Sequence, residues 1–213
     1  EIFREGAYEP DIELFFNRAR ELMENIRSRH PKILMEQMIV SHDKTHTIYQ
    51  NTNGTEFETF KGAYSVSLMY SAHEGDTTTS FFGSDIYTDK LDRPFIELGS
   101  LEKDLSDTEA QLSIIPMEGK FEGVIVLTPG SLGGFLGNAI SNFASDSVIL
   151  EKTSIWLDKL EQQVADQRLT ISMRPGDSRI VCGQRYTADG FRAEDYDLIK
   201  DGVLKSFLLS LYV

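Results

Sequence analysis

Asn51-Thr52-Asn53-Gly54, followed by Phe60-Lys61-Gly62-Ala63-Tyr64-Ser65-Val66-Ser67-Leu68-Met69-Tyr70, decides the fold of the first half of this 213-residue chain. Asn-Gly is the strongest short-range hairpin signal, because both residues tolerate the positive φ of a tight turn. In the run that follows, Phe60, Gly62, Tyr64, Val66, Leu68 and Tyr70 share one face and Ala63, Ser65 and Ser67 the other. That period of two predicts a half-buried antiparallel strand, with Gly62 as a bulge position. Antiparallel strands are expected over 34–50 and 56–70. Met35, Ile39, Ile48 and Tyr49 mark the first of them, and His42-Asp43-Lys44 reads as a turn that interrupts it, making a meander of three strands.

Upstream the period is 3.6. Ile12, Phe15, Phe16, Ala19, Leu22, Met23 and Ile26 fall on one helical face and Pro31 stops the helix. Glu9, Asp11 and Glu13 favour its start, and Arg27 and Arg29 its end. Downstream, residues 73–80 read as a polar loop. Residues 84–118 are hard to read beyond a short helix over Asp104–Leu112. Phe121 to Leu127 is a continuous apolar run of buried-strand type. Thr128-Pro129-Gly130-Ser131 then turns into a helix whose stripe is Leu132, Phe135, Leu136, Ala139, Ile140 and Phe143. Leu169–Met173 reads as a strand, Arg174-Pro175-Gly176-Asp177 and Ala188-Asp189-Gly190-Phe191 as turns. Asp201-Gly202 lies between Tyr196–Lys200 and Val203–Phe207 as a second hairpin. The fold class is therefore α+β, with antiparallel or mixed sheets and covering helices. Two regions are expected, 1–118 and 119–213.

The net charge is -13, from 34 acidic and 21 basic residues, and no Lys/Arg cluster breaks it. Such a surface repels a phosphate backbone, so nucleic-acid binding is not expected. Val203–Val213 is too short to span a bilayer and carries Lys205, so no membrane segment is expected. Cys182 is the sole cysteine, which leaves no internal disulfide and fits the cytoplasm. The chain begins without Met and stops inside the apolar run Phe207-Leu208-Leu209-Ser210-Leu211-Tyr212-Val213. It reads as a piece of a larger protein.

Sites are few. His42 and His46 stand four apart, but in strand context and without a general-base Glu. Cys182, in strand-like surroundings, has no His within fifty residues to activate it. Gly130, Gly133, Gly134 and Gly137 could bare amides to an anion, yet the run lacks Walker or dinucleotide spacing, and close helix–sheet approach explains them equally. Glu102-Lys103-Asp104 and Glu194-Asp195-Tyr196-Asp197 read as solvated faces. No metal or cofactor is expected from these residues.

Several of these stretches together resemble the TldD/PmbA family, once called modulators of DNA gyrase. They are Val126-Leu127-Thr128-Pro129-Gly130 with its glycine-rich helix, Asp158 to Asp166, Asp189-Gly190-Phe191, and Leu198 to Leu208. The strand–Asn-Thr-Asn-Gly–strand unit fits as well. The resemblance implies zinc proteases bearing a His-Glu-x-x-x-His helix just after the Pro-Gly turn. Laid on this chain without a gap, that motif falls on Gly137, Asn138 and Asn142, none of which matches. A third ligand, a Cys, would fall beyond Val213. The chain thus resembles the PmbA/TldE-type subunit. By that resemblance it is a non-catalytic partner of a TldD-like zinc protease subunit, or a homo-oligomer, in a cytoplasmic assembly acting on unfolded or small peptides. Whether the chain is itself an enzyme stays open: a stand-alone peptide-binding scaffold and a hydrolase with an unrecognised site are the alternatives. The amide pair Asn138 and Asn142 is expected to hydrogen-bond across one turn.

Overall fold

Asp11 opens the first helix, α1 (Ile12–Arg29), by accepting the Leu14 amide on its carboxylate at 2.9 Å. Arg27 and Arg29 sit in its last turn. Phe15, Ala19, Leu22 and Ile26 are buried, while Ile12 and Phe16 face solvent. The buried stripe is thus narrower than the apolar pattern, and Phe16 is covered by the Arg20 guanidinium. The computed structural model describes residues 1–116, 119–120 and 122–211. They form two units, Glu1–Phe121 and Glu122–Val213.

The first unit is built on a long hairpin. Strand β2 (Ile33–Gln50) runs antiparallel to β3 (Glu56–Glu74), and Asn51 ties the connection by accepting the Asn53 and Thr55 amides at 3.0 Å. The expected break at His42-Asp43-Lys44 does not occur. Those residues pair with Tyr64, Ala63 and Gly62, and the His42 ring bonds the Ala7 carbonyl. β2 is an edge strand, where polar side chains are tolerated in mid-ladder. The expected three-strand meander is therefore replaced. β3 is central: β2 flanks one side, while β1 (Ile2–Gly6, parallel) and β5 (Phe82–Thr88, antiparallel) share the other. Residues 73–80 are not simply a loop, since β4 (Thr77–Thr78) pairs back onto His73 and Glu74.

The register shift lies between Met35 and Gln37, not at Gly62. Gly62 answers another demand: a Cβ there would collide with the Ala7 carbonyl and the Tyr8 backbone as β1 ends. Tyr64, Val66, Leu68 and Tyr70 pack against the α1 stripe, with Ile86, Phe95 and Ile96. Helix α2 (Leu101–Ala110) adds Leu101 and Leu105 to this core. Its Glu109 reaches back to the end of α1, accepting the Lys32 amide at 3.1 Å and bonding the buried His30 ring at 3.2 Å.

The second unit holds α3 (Pro129–Phe143), α4 (Asp146–Leu150) and a sheet in the order β6 (Ile171–Met173), β7 (Tyr196–Lys200), β8 (Val203–Leu204). Asp201 and Gly202 take φ of 50° and 76°, the two positive values of a type I′ hairpin. Ala144, Leu198, Ile199 and Leu204 form its core, with Ile140, Trp156 and Phe207 against them.

Two expectations fail here. Residues 122–128 form no strand, and Val124 and Val126 are 89% and 85% exposed. A continuous apolar run marks a strand buried on both faces, and among the described residues no strand pairs with it. Phe121, the first residue of that run, and Tyr212 and Val213 lie outside the described residues. Helix α3 is present, but its stripe is not buried throughout. Leu132 and Phe135 are exposed, and only Leu136, Ala139, Ile140 and Phe143 are half-buried.

Candidate functional site

Thr128 precedes α3, and Pro129 occupies the first helical position, where its missing N–H costs nothing. Nine residues on, Asn138 and Asn142 stand one turn apart on exposed surface. Asn142 Nδ2 donates to Asn138 Oδ1 at 2.7 Å and to the Asn138 carbonyl at 2.8 Å. Gly137 beside them is also exposed, and a Cβ there would meet nothing within 4 Å. This triplet does not fit zinc. Protein zinc is held by thiolate, imidazole or carboxylate; here one position has no side chain and the other two are neutral amides already bonded to each other. A carboxamide also cannot take a proton from water.

The neighbouring glycines do not serve close packing, since Cβ atoms at Gly130, Gly133 and Gly134 would also meet nothing within 4 Å. At the start of α3 the Ser131 and Leu132 amides are taken up by the Thr128 carbonyl.

His42 and His46 do not converge on a common ligand. His42 Nε2 bonds the Ala7 carbonyl at 2.6 Å. His46 Nε2 bonds Glu58 at 2.6 Å, and its ring stacks on Phe60 at 4.3 Å. Among the described residues, no group of three or more His, Cys, Asp or Glu is placed to hold a metal ion. Cys182 lies in a turn rather than a strand, with φ of 53°. All four histidines lie in the first unit, so residues 122–213 offer the thiol no imidazole base.

The two acidic runs are only partly solvated faces. Asp104 accepts from Ser84 at 3.2 Å and Ser100 at 2.8 Å, and Ser84 is bonded to the Tyr70 hydroxyl at 2.8 Å. Burial pushes the Tyr70 hydroxyl up, and the Asp104 charge adds to it. Asp197 accepts from Ser172 at 2.6 Å and Arg174 at 2.7 Å, and these bonds hold its carboxyl below the usual range.

A cavity of about 730 Å³ in the second unit was not legible in the sequence. Its wall comes from four separated segments, 172–175, 180–187, 192–196 and 206–209, so no spacing motif announces it. Of its lining residues, the sequence singles out Cys182, Glu194 and Tyr196, none of them for a cavity.

Residues 121–213 match the family described as the PmbA/TldA metallopeptidase C-terminal domain. Two curated relatives align over part of the chain. Metalloprotease PmbA of Escherichia coli O157:H7 is 33% identical over 79 residues, and its Haemophilus influenzae homolog 32% over 76. Each alignment covers 17% of the relative and about a third of this chain (37% and 34%). Among solved structures, TldE of Thermococcus kodakarensis superposes with a TM-score of 0.72 at 12% identity, covering 96% of this chain. A protein described as a candidate modulator of DNA gyrase from Thermotoga maritima gives 0.69 at 16% identity, covering 95%. One of like description from Bacteroides thetaiotaomicron gives 0.61 at 18%, covering 96%. The chain spans about half of each solved protein, 46%, 46% and 49%. At these identities the superpositions show the fold, α+β with mixed sheets and covering helices. Residues 121–213 thus match the TldD/PmbA family, and the chain shares the fold of the solved proteins it resembles.

Proposed function

We propose that this chain is part of a non-catalytic PmbA/TldE-like subunit, which pairs with a metal-bearing TldD-like subunit to act on unfolded or small peptides in the cytoplasm. The observation that carries this reading is the closed amide pair of Asn142 and Asn138 beside Gly137. The exposed turn of helix keeps its backbone, yet supplies neither metal ligands nor a base. The family match supplies the peptidase context. A subunit of this kind contributes fold, surface and substrate contacts while the partner contributes the chemistry. Among the described residues no helix is long and apolar enough to cross a membrane, which is compatible with the proposed location.

A second reading is favoured by the name of the curated relatives, metalloprotease PmbA. On it, a protein carrying this chain is itself a metal-dependent protease whose ligands come from outside residues 1–213.

The subunit reading is tested by native affinity purification of the protein from its own cells. The expected result is stoichiometric recovery of a second protein that carries a His-Glu-x-x-x-His helix. Recovery of this protein only with copies of itself, or alone, would favour a stand-alone scaffold and contradict the pairing.

A further inference from the structure

We propose that the cavity of about 730 Å³ in the second unit binds a short peptide through the peptide's carboxylate, with Arg192 as the anion partner. This goes beyond the subunit assignment and stands whether or not a metal-bearing partner exists. The volume falls in the range of small-ligand sites, about 300–1,000 Å³. Met173, Pro175, Ile180, Phe207 and Leu209 make an apolar floor. Ile180 and Leu209 are each 48% exposed, so this apolar surface stands open to solvent.

Charge selects the ligand class. The chain as a whole carries -13, yet the cavity wall brings in two guanidiniums, Arg174 and Arg192, against one carboxylate, Glu194. Arg174 is occupied: it donates to the Met173 and Tyr196 carbonyls at 2.9 and 2.8 Å and to Asp197 at 2.7 Å. Elsewhere in the unit, Arg168 holds Asp166 and Arg179 holds Asp177. Arg192 differs from these. It is exposed at the cavity and has neither a hydrogen bond nor an ion pair from its side chain to any described residue. A free guanidinium beside an apolar floor matches a ligand with an anionic end and an apolar body, and its planar fork suits a carboxylate. β6, whose Ser172 and Met173 line the cavity, is an edge strand of its sheet. An edge of this kind offers backbone groups to an extended peptide, which a simple carboxylic acid cannot use.

The test is calorimetric titration of the intact protein with acetyl-leucyl-phenylalanyl-alanine as free acid, with its C-terminal amide, and with a glutamate-containing version of that amide. The free acid should bind at least about tenfold more tightly than the plain amide, the scale of one charge-assisted hydrogen bond. Arg192→Gln should remove that advantage, whereas Arg168→Gln, outside the lining, should leave it intact. If the glutamate peptide binds with the same dependence on Arg192, the carboxylate can come from a side chain, and the assignment of carboxylate to Arg192 still holds. Equal binding of acid and plain amide, binding unmoved by Arg192→Gln, or no binding of any of the three peptides overturns the proposal. Ile180→Asp, on the exposed apolar floor, should weaken all peptides alike; unchanged affinity there also counts against it.

Discussion

Gly202→Val is expected to unfold the second unit or to lower its stability by about 3–5 kcal/mol, the sum of backbone strain and overpacking at one site. Gly202 is buried at φ of 76°, a conformation that a β-branched residue adopts only under strain. A Cβ there would also collide with the Gln163 amide and the Ala165 carbonyl, and would sit 2.7 Å from the Asp166 carbonyl. The exposed Gln163 side chain can swing away, but the two carbonyls cannot withdraw cheaply, because Gly202 is bonded to its surroundings on both sides. Its N–H donates to Leu169 at 2.8 Å, and its carbonyl accepts the Val164 and Ala165 amides at 2.9 and 3.1 Å. Val164 and Leu169 pack on the unit's core, so displacing this hairpin opens that core. Gly133→Ala is the matched control. It lies in α3 with open space around a Cβ and should be neutral or stabilise by up to about 1 kcal/mol. Urea titrations of both variants decide; a Gly202→Val midpoint within error of the parent would contradict a Gly202 that is buried at positive φ.

Leu22→Ala should cost the first unit about 2–5 kcal/mol. Leu22 is fully buried on the α1 stripe, in the cluster that joins Tyr64, Val66, Leu68 and Phe95. The helix cannot collapse into the cavity left behind. Its start is pinned by Asp11, whose amide donates to the Tyr64 hydroxyl at 2.9 Å, and its middle by Arg18, which donates to the Leu91 carbonyl at 3.0 Å. Phe16→Ala, on the same helix but 60% exposed, should cost under about 1 kcal/mol, as expected for a surface substitution. Equal effects at the two positions, read by chemical denaturation, would mean that α1 is rotated relative to its sheet.

What could be read in advance follows physical lines. α1, the Asn53-Gly54 hairpin and the Asp201-Gly202 hairpin were legible because periodicity and turn chemistry act within a few residues. β1 and β5 were not. Ile2–Gly6 is a strand only because Glu58–Gly62 lies beside it, and Phe82–Thr88 hides its alternation of Ser84 and Ile86 among Gly83 and Asp85. His42-Asp43-Lys44 misled because polar residues on an edge strand look like a turn. Residues 122–128 misled in the opposite sense: an apolar run says what it could be buried against, not whether that neighbour is present. At the candidate site, the Asn138–Asn142 contact was legible, since helical spacing alone sets it. Arg192 was not, because its cavity is assembled from loops.

The subunit proposal turns on whether this protein performs proteolysis by itself. The most direct measurement is cleavage of unfolded peptides by the purified protein, free of any partner, with and without a metal chelator. The proposal predicts no chelator-sensitive cleavage in that sample, and its appearance when the His-Glu-x-x-x-His partner is added back. Robust cleavage by the partner-free protein, abolished by chelator, would contradict it and make this chain part of the protease itself.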